Sequence, residues 1–390
     1  MATHDISEGL PVLSGSVIKK YRRAENLTQE QLAALVGLDA RTIRGYELGE
    51  RQITNVQTAK KIAAVLHIPS AESGLHEIAS TVFADPNRAF DEVWHLVATA
   101  NFIQARSTIQ VLQEHLKQES SDQHGGRTLA YAYFLAGHIE AITCPTYQVD
   151  QAQAYFQAME PITYGDHTLI NLSLTYQGDM LRRVGKIDNA IHLLEQAWAT
   201  TSLASSAAKG NNQQLLARAY FRQRDIPRFE AAINRSIGFG EEVAMRESGD
   251  CAAGSMRVSY NLCAVYEEQA RCLAHINNIK ASLSSLDKAE AALPNEQRWQ
   301  MNLKATRGEV LIRKAMLRTT TNVRDLLAND DFQQGVSLLS QVTELAKRTG
   351  HNRLLRRIHE VPRYLNQKSL YLSQAADIVR DALENGGIQE

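Results

Sequence analysis

The side chains best placed for chemistry in this sequence are hydrogen-bond donors rather than nucleophiles. Arg41, Thr42 and Arg44 share one short segment, and Lys19, Arg22, Arg23 and Arg51 flank it. A guanidinium offers paired N–H groups that match the O6 and N7 edge of guanine or two phosphate oxygens. The spacing predicts Arg41 at a base edge, and Ala40 and Thr42 against base methyls or phosphate. Arg44 can turn to either, and the flanking cations meet phosphates alone. Gln29 bonds a phosphate or braces the segment that carries Arg41.

Catalytic patterns do not form. His76-Glu77 and His359-Glu360 begin as a zinc-protease motif does, but neither is followed by the second histidine. Gly178 to Lys186 has the wrong spacing for a phosphate loop, with Ile187 where a hydroxyl is required. Cys144, Cys251, Cys263 and Cys272 are scattered without a Cys-x-x-Cys pair. They read as buried apolar residues, not as a disulfide framework or zinc site. No enzyme activity, cofactor or metal is expected.

The donors must be held by short helices. Leu32, Ala33 and Leu35 mark the buried face of one, and Gly37 stands where the chain turns, since glycine alone takes a positive φ without steric cost. Asp39 can cap the next helix, on which Ile43 and Tyr46 pack back on the first. That leaves Ala40, Arg41, Arg44 and Gly45 facing outward, in the manner of a helix entering the major groove. This stretch resembles the Cro/CI-type (XRE) helix-turn-helix family over roughly residues 14–69. The resemblance rests on Ile18, Arg22, the Thr28-Gln29 opening, Leu32-Ala33, Gly37, Ile43, Glu47, Gly49 and Arg51. It implies DNA contacts from Thr28, Gln29 and Arg51 as well as from the second helix. Gly45 departs from the family, which usually carries a larger side chain there; any small helical domain could also show the leucine spacing.

A length of 390 residues allows two or three domains. Net charge is −1, but residues 16–61 carry nine basic side chains against five acidic ones. A basic reader on a mildly acidic body is expected when only one part meets phosphates. Residues 1–13 lack the pattern of a signal peptide, and no apolar run is long enough to span a bilayer. A soluble cytoplasmic protein is expected.

Beyond residue 69 apolar residues recur at helical spacing, so the fold class is all-α throughout. Gly178 to Ala197 resembles a tetratricopeptide (TPR) repeat: Gly178 and Ala190 are small at the helix crossing, Leu181 and Leu194 fill it, and Gly185 opens the turn. The template fits again at Val93, Ala105, Ile109 and Leu112, at Ala217, Phe229, Ile233 and Ser236, and at Ala270, Ser282, Leu286 and Ala289. Ala152, Phe156 and Met159 supply another second helix. Helices near 296–318, 331–348 and 353–384 would close the stack. The expected organisation is a tail (1–13), the helix-turn-helix domain (14–69), a connecting helix (70–85) and a TPR-like right-handed α-solenoid (86–390). A bundle without superhelical order is the alternative.

The resemblance to TPR repeats implies that the first helix of each pair lines a concave surface for an extended peptide or a partner's helix. Its inward positions fall on Arg182, Arg183, Gln214, Arg218, Phe221, Arg222, Glu267, Arg271 and His275. The arginines would suit carboxylates or phosphate, or would form salt bridges with neighbouring acids. A Cro/CI-type reader followed by TPR repeats is similar in layout to the peptide-sensing RRNPP regulators of quorum sensing. That likeness implies a homodimeric transcriptional regulator that binds double-stranded DNA and a short signalling peptide. The repeats could instead recruit a protein partner, or join two copies with no small ligand.

Overall fold

A computed structural model of the chain describes residues 13–51, 53, 56–68, 85–119, 123–144, 149–200, 202–247, 257–318, 323–368 and 372–385. Every regular element among them is helical. They divide into two compact units, one drawn from residues 1–92 and 107–119, the other from 93–106 and 120–390. The connecting helix expected over 70–85 lies outside the described residues apart from Asp85, as do Cys251 and the tail up to residue 12.

Four short helices begin the first unit: α1 (Gly15–Ala24), α2 (Gln29–Val36), α3 (Ala40–Leu48) and α4 (Val56–Val65). Capping sets where three of them start. Ser14 accepts from the Val17 amide, Thr28 and Gln31 form a reciprocal capping box, and Asp39 accepts from the Thr42 amide at 2.7 Å. Each such cap stabilises its helix by about 1 kcal/mol. Gly37 ends α2 at φ +73°, the left-handed conformation that reverses the chain toward α3.

Leu32, Ala33 and Val36 of α2 meet Ile18, Ile43, Ile62 and Leu66 in the core of this unit. Leu35, expected in that core, is 61% exposed. A face that already holds Leu32 and Ala33 continues four residues on from Leu32, at Val36, and turns the third residue outward.

α5 (Pro86–Ala98) and α6 (Phe102–Glu119) lead into helix pairs. These are α7 (Gln123–Thr143) with α8 (Asp150–Met159), α9 (His167–Arg183) with α10 (Ile187–Thr200), and α11 (Ser206–Gln223) with α12 (Ile226–Glu247). They continue as α13 (Leu262–His275) with α14 (Ile279–Ala291) and α15 (Gln297–Arg318), which after the short α16 (Val323–Leu327) packs on α17 (Asp330–Thr349). From α9 to α15 the first helix of each pair also touches the first helix of the next, so the pairs stack.

Small residues let each pair close. Ala190, Ala217, Ala270 and Ala289 are fully buried, and Leu194 lies where a side chain on Gly178 would collide with it. Ser236 Oγ donates to the Gly210 carbonyl at 2.9 Å, and Ser282 Oγ to that of Ala270 at 2.7 Å. α15 and α17 come closest: a Cβ on Gly308 would sit 2.9 Å from the Gly335 carbonyl oxygen. The final stretch expected over 353–384 forms two helices, α18 (Asn352–Lys368) and α19 (Leu372–Asn385). α18 touches α7, α15 and α17.

Candidate nucleic-acid interface and ligand cavity

The start of α3 presents two exposed cations. Arg41 and Arg44 are exposed, and Thr42 is half-buried beside the Asp39 cap, to which its hydroxyl donates at 2.8 Å. Ala40, expected to face outward, is half-buried against the core. Gly45, also expected outward, is buried: the Arg51 stem covers it, and a Cβ there would stand 3.3 Å from Arg51 Cδ. The glycine therefore makes room for the Arg51 stem. Arg51 keeps its guanidinium near the Thr42 hydroxyl, at 3.5 Å. Lys19 is half-buried and Arg23 exposed.

Arg22 is not a free cation. Its Nε and Nη2 donate to the two Glu47 oxygens at 2.5 and 2.9 Å, and its Nη1 to the Leu27 carbonyl at 2.7 Å. Gln29 Nε2 adds a bond to Glu47 Oε2 at 2.8 Å. Burial pushes the Glu47 carboxyl up, but the bonds from Arg22 and Gln29 outweigh it and hold it below the usual carboxylate range. This network ties α1 and α2 to the C-terminal end of α3, with Arg22 as an internal ion-pair partner and Gln29 bracing α3 through Glu47. Thr28 is spent on its cap.

The second unit contains a cavity of about 810 Å³. Its walls are the first helices of successive pairs, α7, α9, α11, α13 and α15, together with α18. All nine residues expected on the concave face line it: Arg182, Arg183, Gln214, Arg218, Phe221, Arg222, Glu267, Arg271 and His275. Eleven arginines and five carboxylates stand in its lining, so the cavity is strongly cationic.

Most of these arginines have acidic partners. Arg182 and Arg183 share Asp179 at 2.6 and 2.7 Å, and Arg218 and Arg271 share Glu268. Arg357 of α18 bonds Glu267 at 2.9 Å, while Glu309 receives Arg313 and His275, each at 3.3 Å. Burial alone would raise Asp179, but Arg182 and Arg183 hold it well below the carboxylate range. Glu268 is lowered in the same way by Arg218 and Arg271. Spacing could have revealed Asp179, three and four residues before Arg182 and Arg183, and Glu268, three before Arg271, but not the bond from Arg218 on α11. Nothing in the sequence pointed to α18 as a wall.

Residues 18–73 match the helix-turn-helix family model. The chain carries an XRE-type helix-turn-helix domain. Over 90 residues it is 31% identical to the uncharacterised HTH-type transcriptional regulator RghRB of Bacillus subtilis (strain 168). That match spans 22% of this chain and 65% of the relative, slightly under two thirds of its length. Among solved structures, the chain is similar to Bacillus thuringiensis PlcR in complex with the peptide PapR7 and DNA. Identity there is 16%, the match covers 71% of this chain and 92% of PlcR, and the TM-score is 0.39. It is also similar to the apo form of the competence regulator ComR from Streptococcus vestibularis, at 14% identity, with 76% and 97% covered and a TM-score of 0.36.

Within the helix-turn-helix domain the exposed cations among the described residues include Arg41, Arg44, Arg23 and Arg51, with Lys20 and Lys61, on a scaffold braced by Glu47. No helix among the described residues is long and apolar enough to cross a membrane. Among the same residues no cluster of His, Cys, Asp or Glu could hold a metal ion, and Cys144, Cys263 and Cys272 form no disulfide.

Proposed function

We propose that the chain is a sequence-specific, DNA-binding transcriptional regulator whose repeat stack binds a small ligand, most plausibly a short signalling peptide, and so modulates DNA binding. The observation that carries the DNA reading is the pair Arg41 and Arg44, exposed at the start of a capped helix whose other face is fixed by Arg22, Gln29 and Glu47. Arg41 reads a base edge; Lys19, Arg23 and Arg51 contact phosphates. One such helix covers few base pairs, so the protein acts as a homodimer on an inverted repeat, with half-sites about 34 Å apart or a multiple of it. It works in the cytoplasm.

The cavity supports the ligand reading. Its volume falls in the range of about 300–1,000 Å³ typical of small-ligand sites. Because ligand and DNA engage different units of the chain, the ligand acts by binding one arrangement of the dimer better than another. The alternative, repeats that recruit a protein or join two copies with no small ligand, draws on α18. That helix occupies part of the inner wall, where Asn352 Nδ2 donates to the Thr143 carbonyl at 2.5 Å. The space left open beside α18 favours a ligand.

Selection from a random duplex pool with the full chain tests both parts. Enrichment of an inverted repeat whose half-site preference relaxes in Arg41→Ala is expected. An unenriched pool would remove the reader assignment. Adding a synthetic library of short peptides to the selected complex should change its affinity; no change with any peptide favours the scaffold.

A further inference from the structure

Among the described arginines of the cavity that are not exposed to solvent, the ion pairs leave one over; Arg222 and Arg363 are exposed. Arg353, the second residue of α18, is half-buried, lines the cavity, and has neither a hydrogen bond nor an ion pair among the described residues. Burial and the repulsion of Arg183 and Arg218 push its guanidinium well below the usual arginine range, with Asp179 offsetting only part. Its place in the first turn of a helix adds the unfavourable positive end of the helix dipole. A cation so placed lacks its counterion.

Orphaned polar atoms line the same cavity. Trp299 Nε1 is buried without a partner, and Asn211 Nδ2, beside the Tyr176 hydroxyl, makes no hydrogen bond of good geometry; both can only donate. His138 Nε2 is buried and unpartnered as well. Asn211 is 4% exposed and His138 7%, and all three residues line the cavity. Buried donors left unsatisfied are costly, and a native site that gathers several is shaped for acceptors that arrive from outside. Phe102, Leu215, Phe221 and Leu354 supply apolar wall nearby.

We propose that Arg353, with the free donors of Asn211 and Trp299, forms an anion subsite that takes a carboxylate of a short acidic peptide, whose apolar side chains rest on the remaining wall. The inference builds on the ligand-binding reading above. A cavity of about 810 Å³ is far larger than one phosphate ion needs, and its apolar portion suits peptide side chains. Arg353 thereby selects charge in the ligand, while the paired arginines around it hold the wall in shape.

Thermal unfolding of the full-length chain, without DNA, tests this. Three probes are compared at matched ionic strength: a pool of synthetic hexapeptides containing Asp or Glu, the same pool amidated with Asn and Gln in their place, and inorganic phosphate. The acidic pool should raise the wild-type midpoint with increasing concentration, and the neutral pool should not. Arg353→Met should lose this response, and its ligand-free midpoint should rise because an uncompensated charge is gone. Arg353→Gln is the second variant should the first fail to fold. A response to the acidic pool that survives in both variants overturns the proposal, as does equal stabilisation by the neutral pool. So does the absence of any response to peptides in the wild type. Stabilisation by phosphate alone would replace the peptide with a phosphorylated small molecule. In a parallel DNA titration with the same acidic pool, stabilisation of the chain with unchanged DNA affinity would keep the subsite and remove ligand gating.

Discussion

The Arg22–Glu47 pair offers a clean test, because sequence spacing places Arg22 on phosphate and the structure places it inside the domain. The Glu47 side chain is 1% exposed and the Arg22 side chain 12%, with two bonds between them and one from Gln29. Removing one partner of a buried pair costs roughly 3–5 kcal/mol, because the other charge is left uncompensated. Arg22 lies near the surface and keeps the Leu27 carbonyl, so Glu47→Gln should fall at the low end, about 3 kcal/mol, or roughly a hundredfold in the folding equilibrium. A small domain with a stability of only about 5–10 kcal/mol feels that loss sharply. Arg22→Ala should cost about as much, while Arg22→Met with Glu47→Leu should recover most of it, since a packed apolar pair can replace a buried ionic one. Chemical denaturation followed by a probe within residues 15–65 gives the stabilities, and DNA titration over a range of salt gives the phosphate count. If Arg22→Ala leaves stability unchanged and lowers the salt slope by about one, the arginine is a phosphate contact and the bracing argument fails.

Arg41→Ala should weaken the selected site by about 1–3 kcal/mol and relax one base pair, whereas Arg23→Ala should weaken all duplexes alike and reduce the salt slope; competition with random DNA separates the two. Gly335→Ala sets a Cβ 2.8 Å from the Gly308 carbonyl oxygen. The clash should cost roughly 1–3 kcal/mol, more than the gain of about 1 kcal/mol in helix propensity, so a raised unfolding midpoint would contradict the packing. His351 is lowered from 6.5 to about 3 by burial and by Arg353. The unfolded chain therefore takes up a proton below about pH 6.5 that the folded chain refuses until about pH 3. Stability from this group is complete above pH 6.5 and falls by up to about 1.4 kcal/mol per unit on acidification. Melting between pH 8 and 4 should show the decline, and His351→Asn should flatten it.

Local rules made much of this fold legible. The Thr28 and Asp39 caps and the left-handed Gly37 follow from residue type and spacing, and α2 and α3 form where they should. Leu35 and Val36 exchanged places because one helical step separates a core position from a solvent position. Gly45, expected to face outward, is instead covered by the Arg51 stem, because Arg51 packs back on α3 from beyond its end. The nine concave-face residues share one cavity because the period of a helix pair carries their orientation. Whether they bind a ligand was not legible, and neither was the pairing of Arg357 with Glu267. Arg353 escaped notice for the same reason: what surrounds it is contributed by helices far away in the sequence.

Asn352 and the Thr143 carbonyl stand 209 residues apart in the chain, and His351 meets the Phe102 ring beside them. A stack of repeats with only neighbour contacts can nucleate anywhere and fray from either end, one pair at a time. A bond between its first and last parts changes that kinetic behaviour. The long loop must close before the bond rewards it, so this contact belongs to a late and slow stage of folding. Once made, it couples the ends, and the array should unfold as one cooperative block rather than by peeling. Chains cut before residue 350 should then regain gradual melting, and a growing chain should hold its early pairs in an unfinished state until its last helices are released.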